Sequence, residues 1–205
     1  WGRVRAKYAA KKFNKKHCFK ETSGVELEYS HKYTVKSLPM INPAVEYDLA
    51  VSFITPHYIV AQKVNAKKKI AWIHTDYSTV AIDRETQLQM WEQYDVIASI
   101  SENVTKSFLT VLPQLEAKVQ VIQNIMPTKY MEMLTEEFDV ENEMPLDKTV
   151  KLLSIGRFCV AKNFDNVPWI CKNLVEMGLN VKWYLIGYGG SEELIRQKII
   201  ESEMQ

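Results

Sequence analysis

From residue 47 onward, short apolar runs alternate with stretches of helical period, and this rhythm restricts the possible folds more than any other feature of the 205-residue chain. Residues 47–53, 70–73, 96–100 and 118–122 read as buried strands. Between them, 56–65 and 84–94 read as helices, the second with Leu88, Met90, Trp91 and Tyr94 on its apolar side. Ser101 stands at the N-cap position of a third helix that carries Thr105, Phe108, Leu109 and Leu112. An acidic stretch then runs from Glu132 to Asp147 and ends in Met144-Pro145-Leu146-Asp147, the composition of an exposed connector. Beyond it the rhythm resumes, with a strand at 150–155, a helix at 163–177, a strand at 181–186 and a helix at 191–203. Strands alternating with helices of this length predict parallel sheets clothed by helices. The expected organisation is two doubly wound α/β domains, residues 1–126 and 150–205, joined by an acidic linker at 127–149.

Composition excludes several classes. Hydrophobic residues make up 46% and charged residues 25%, with 7 Gly and 7 Pro, values of a globular rather than a disordered or collagen-like chain. The 26 Lys and Arg nearly balance the 25 Asp and Glu, so no overall charge draws the protein to nucleic acid. Cys18, Cys159 and Cys171 are scattered and form no C-x-x-C pair, the usage of reduced thiols rather than of a disulfide frame or zinc site. The longest uncharged stretch, 49–62, falls short of the roughly 18–20 residues of a membrane span. The chain opens on Trp1, which reads as the start of a fragment.

Charge is uneven at the N-terminus. Arg3, Arg5, Lys7, Lys11, Lys12, Lys15, Lys16 and Lys20 fall in the first twenty residues with no acid among them. Trp1, Val4, Tyr8 and Phe13 recur near helical spacing, so a basic amphipathic helix is expected, its apolar side packed on a domain. A second use of the segment is peripheral contact of residues 1–20 with an anionic membrane. Further on, Val25, Leu27 and Tyr29, then Tyr33 and Val35, alternate with polar residues and predict a β-hairpin turning near His31.

In open parallel sheets, ligands collect at the carboxyl ends of strands. His74-Thr75-Asp76-Tyr77 follows one strand. Gly156-Arg157-Phe158 follows another, with Lys162 shortly after and a helix starting near Asn163. Gly187-Tyr188-Gly189-Gly190 follows the last strand, with Ser191 placed to cap the next helix. Glycine permits close backbone approach, and helix N-termini present unpaired N–H groups to anions. Arg157 adds a planar fork for phosphate oxygens and Lys162 a point charge on a flexible stem. Together these features predict a diphosphate site. Each has an ordinary structural explanation when taken singly: a strand-ending glycine, surface cations, a packed histidine, and a glycine loop that completes neither G-x-G-x-x-G nor a Walker A sequence.

Leu152-Leu153-Ser154-Ile155-Gly156-Arg157-Phe158 with Lys162-Asn163-Phe164-Asp165 resembles the donor-site signature of the group 1 glycosyltransferases, family 4, of GT-B architecture. Trp183-Tyr184-Leu185-Ile186-Gly187-Tyr188-Gly189 resembles that family's next strand and glycine loop. Val121-Ile122-Gln123-Asn124, Ile97-Ala98-Ser99-Ile100-Ser101 and Ile73-His74 are similar to its earlier strand ends. The resemblance runs from about residue 47 to the end; residues 1–46 match nothing in it. It implies two Rossmann-like domains and retaining transfer of a sugar from a nucleotide diphosphate sugar to a cell-surface glycan or lipid-linked acceptor. Arg157 and Lys162 would bind the diphosphate, with Gly156, Gly187 and Gly189 around them, and His74 would sit near the donor sugar and acceptor. No D-x-D sequence occurs in the chain, in keeping with a metal-independent site that needs no cofactor. The family context places such an enzyme in bacterial polysaccharide assembly, cytoplasmic or at the inner membrane face.

Two departures set limits. The family's glycine-rich loop after its first strand is absent. Its E-x7-E carboxylate pair is matched only by Glu193 and Glu201, whose place on the helix directly after Gly190 marks them as solvent-facing. Both domains are therefore expected to be incomplete, and the chain alone inactive. The competing readings are a sugar-nucleotide epimerase-like protein of the same architecture and a non-catalytic partner subunit.

Overall fold

A computed structural model describes residues 2–19 and 24–204. The chain divides into two compact units, Trp1–Met126 and Pro127–Gln205.

The first unit contains four parallel strands, β1 (Tyr47–Ser52), β2 (Ala66–Ile73), β3 (Val96–Ser99) and β4 (Val119–Val121), in the spatial order of the chain. Register pairs Ser52 with Ala71, Ala71 with Ile97, and Ile97 with Val119. The side-chain period of two then puts Ala50, Ser52, Ala71, Ile73, Ile97 and Ser99 on one face, and all six are buried. Three helices connect the strands: α3 (Tyr58–Lys63), α4 (Arg84–Trp91) and α5 (Glu102–Val111). Tyr58, Ala61, Met90, Trp91 and Phe108 from these helices join Ala71, Ile73 and Ile97 in one apolar core. The opposite side of β1 is different. Leu49 and Val51, and Phe53 just past the strand, are 50%, 44% and 53% exposed.

Local chemistry fixes the helix starts. Ser101 Oγ accepts the Val104 N–H at 3.3 Å, and the Asp83 carboxylate accepts that of Thr86 at 3.3 Å, each supplying a partner for an otherwise unpaired first-turn donor.

The N-terminal segments depart from expectation. A helix, α1 (Gly2–His17), does form, but its buried residues are Ala6, Ala10 and Asn14. Val4 and Tyr8 are 73% and 75% exposed. Small side chains let α1 lie close against the next helix, Gly24–Thr34, with Val4 and Tyr8 left on its outer side. Phe13 is half-buried, its ring centroid 6.1 Å from that of Tyr29, and a Cβ on Gly2 would stand 3.2 Å from the Tyr33 carbonyl oxygen. Trp1 and Lys20, also assigned to this helix by sequence, lie outside the described residues. The expected β-hairpin is instead α2 (Gly24–Thr34), followed by a 3-10 turn at Val35–Ser37. Its buried positions are Val25 and Glu28, three apart, so it is a polar glutamate that occupies the inner helical position.

In the second unit, β5 (Val150–Ile155) and β6 (Val181–Ile186) pair in parallel, from Val150 with Val181 to Ile155 with Ile186. α7 (Val167–Glu176) and α8 (Glu192–Glu201) complete it, packed around Phe158, Phe164, Val167 and Ile195 with Trp183, Leu185 and Ile199. The acidic stretch holds an additional helix, α6 (Thr128–Thr135), with no buried residue. Both units are thus mixed α/β structures with parallel, Rossmann-like sheets.

Candidate functional site

The segment after β5 and the loop after β6 run side by side beyond the strands. Gly156 N–H donates to the Ile186 carbonyl and Phe158 N–H to that of Tyr188, each at 2.9 Å. At these tips the glycines have a specific reason. A Cβ on Gly187 would fall 1.9 Å from the Gly156 oxygen, and one on Gly189, at φ +152°, 2.3 Å from the Phe158 oxygen. The close approach they permit is to the 156–158 backbone. Gly156 itself faces the Phe164 ring, 3.3 Å from where its Cβ would be. Phe158 is buried with its ring edge-on to Phe164 at 5.3 Å. With residue 158 anchored inward and the backbone pinned to the glycine loop, Arg157 is left facing outward.

Arg157 and Lys162 are both exposed, and among the described residues neither side chain makes an ion pair or hydrogen bond. Lys162 closes a 3-10 turn (Val160–Lys162). Asn163 then adopts a left-handed conformation, φ 58° and ψ 27°, which asparagine tolerates. The helix begins only at Val167, after a second 3-10 turn, rather than near Asn163. Ser191 makes no side-chain cap; its N–H donates to the Phe158 carbonyl at 3.0 Å and ties α8 to the same tip. The first turn of α8 already carries Glu192 and Glu193, which complement its helix dipole. Glu193 and Glu201 are exposed, and Lys198 and Gln197 hold Glu201.

His74 belongs to the first unit, just past the carboxyl end of β2. Its ring stands edge-on to Phe53 at 4.6 Å. Among the described residues its buried Nε2 has no hydrogen-bond partner, and neither has Nε1 of Trp72. Both side chains line a cavity of about 180 Å³, together with Glu28, His31, His57 and Gln87. Burial pushes the Glu28 carboxyl above its ordinary pKa, against the hydrogen bond it accepts from Tyr58 Oη at 2.6 Å. Burial, reinforced by the neighbouring His31 and His74, lowers His57 to about 4, so its ring is neutral at pH 7; its Nδ1 lies 2.8 Å from Ser52 Oγ. The Tyr77 hydroxyl and Trp91 Nε1 both donate to Gln87 Oε1 at 2.9 Å. The cavity therefore offers a mostly apolar wall with a few hydrogen-bonding side chains, among them the neutral His57 ring. Glu28, His31 and His57 were not singled out as site residues by sequence, because single polar residues in a strand-helix pattern carry no spacing signal. Among the described residues, no group of three or more His, Cys, Asp or Glu could hold a metal ion.

No family model matches the chain, and no curated protein matches it. Among solved structures it is similar to a mutant of S. aureus TarM in complex with Fondaparinux, alpha-GlcNAc-glycerol and UDP, at 16% identity and a TM-score of 0.47. The likeness covers 70% of this chain and 28% of that one.

Proposed function

We propose that the chain is part of a retaining glycosyltransferase that moves a sugar from a nucleotide diphosphate sugar to a glycan or lipid-linked acceptor on the cytoplasmic side of a membrane. One observation carries the assignment: an exposed guanidinium and ammonium, Arg157 and Lys162, unpaired among the described residues, stand on the segment leaving a parallel strand's carboxyl end. These groups suit the diphosphate. At ~4 Å and an effective dielectric near 20 the bare Coulomb attraction of each cation–oxyanion pair is roughly 4 kcal/mol, which solvent screening of these exposed groups reduces. Because the segment is pinned to the glycine loop, the Arg157 backbone is already ordered when phosphate arrives and the ordering cost is confined to its side chain.

In this proposal the two cations hold the diphosphate and stabilise the negative charge that grows on it as the sugar–oxygen bond breaks. His74, whose Nε2 lacks a hydrogen-bond partner among the described residues, would hydrogen-bond and position a hydroxyl of the acceptor in the cavity of the first unit.

The test compares binding of UDP, GDP and ADP with their monophosphates by calorimetry. Diphosphates should bind tighter, and Arg157→Ala or Lys162→Ala should each remove most of that advantage. A diphosphate that binds no better than its monophosphate would refute the site. In a form of the protein that turns over, Arg157→Ala should lower the rate about 100- to 1,000-fold.

A further inference from the structure

The outer surface of α1 carries a feature independent of the transferase proposal. Val4, Tyr8, Lys11 and Lys15 are spaced four, three and four residues apart, which places them on one helical stripe. All four are exposed, the first two by 73% and 75%. Lys7 and Lys12 flank the stripe and are exposed too, and α1 contains no acid. The opposite stripe, Ala6, Ala10 and Asn14, is the one buried in the protein. The helix thus has two faces in use: small residues pack inward, while an apolar pair and a row of cations face out.

We infer that this outer stripe docks on an anionic lipid bilayer, with Val4 and Tyr8 entering the interface and Lys7, Lys11, Lys12 and Lys15 meeting the lipid phosphates. Charge complementarity selects an anionic partner, and the apolar pair selects among anionic partners. An exposed valine gains nothing from a phosphodiester backbone, whereas the headgroup–acyl boundary takes both an aliphatic group and an amphipathic tyrosine. Basic residues near such a surface strengthen binding by about fivefold each. The attraction fades within a Debye length, so it is salt-sensitive. Among the described residues no helix is long and apolar enough to cross a membrane, and the docking is peripheral.

Co-sedimentation of the 205-residue chain with phosphatidylcholine vesicles, with and without about 30 mol% phosphatidylglycerol, tests the inference. Binding should need the anionic lipid and weaken in about 0.5 M NaCl. Lys11→Gln with Lys15→Gln should weaken it about 30-fold, and Val4→Ser with Tyr8→Ser about tenfold. Leu146→Ser, at an 89% exposed apolar residue in the acidic stretch, should change nothing. These substitutions lie on exposed positions, and circular dichroism checks that each variant folds. Equal binding with and without phosphatidylglycerol, no binding to either vesicle, indifference to the Val4/Tyr8 pair, or equal capture by polyuridylate would each overturn the inference. Nucleotide binding plays no part in this readout, so the two proposals stand or fall separately.

Discussion

Acidification should weaken the first unit through His57. The ring is 8% exposed, its Nδ1 is engaged with Ser52 Oγ, and its centroid lies 4.8 Å from that of Trp91. An unfolded histidine titrates near 6.5, whereas burial brings His57 to about 4. Between those values the unfolded chain binds the proton and the folded chain does not, so the native state loses ground as pH falls. The contribution is intact above about pH 6.5 and lost progressively toward pH 4. A gap of 6.5 − 4 = 2.5 units at 1.36 kcal/mol each corresponds to about 3 kcal/mol, a large share of a domain's usual 5–15 kcal/mol. Urea unfolding followed by tryptophan fluorescence between about pH 7 and pH 4.5 measures the loss. NMR titration of the four histidines gives the midpoint directly. His57→Gln keeps a hydrogen-bonding side chain that does not titrate, so its stability should fall less steeply with acid. Burial also lowers His31 and raises Glu28, but both groups are present in wild type and variant and drop out of the comparison. An imidazole midpoint near 6.5 at His57, or parallel pH profiles for the two proteins, would refute the reasoning.

Gly187→Ala should cost about 2–4 kcal/mol in urea unfolding of the second unit, since the new Cβ forces apart the strand tips and their two 2.9 Å hydrogen bonds. Tyr58→Phe should destabilise the first unit by about 1–3 kcal/mol in thermal melts, because it removes the hydroxyl that donates to the buried Glu28 carboxyl. Ser101→Ala should cost about 1 kcal/mol by the same measurement, through the lost cap on α5.

The strands and most of the helices from residue 47 onward were legible because apolar runs such as Ile70–Ile73 and the cap at Ser101 declare themselves locally. Residues 1–46 were not, for identifiable reasons. The inner face of α1 is alanine and asparagine, so the bulkier Val4 and Tyr8 drew the apolar stripe onto the wrong side. In α2 the buried Glu28 masks the helical period, leaving Val25, Leu27 and Tyr29 to imitate a strand. At the candidate site, sequence could place Arg157 and Lys162 after a strand. It could not show that Gly187 and Gly189 face the 156–158 backbone, since that contact joins segments about thirty residues apart. The cavity beside His74 was hidden for the same reason, because Glu28, His57 and Gln87 meet only through the fold.

The pinning of the two strand tips has a mechanical consequence. Residues 156–158 are held by Ile186 and Tyr188, and the Phe158 carbonyl also receives the N–H of Ser191 at the start of α8. A shift of the Arg157 backbone would therefore be transmitted through these three hydrogen bonds to the glycine loop and the start of α8. With α8 ten residues long, such a shift would reach about 15 Å to its far end, where a spectroscopic label on the exposed Glu203 could register it.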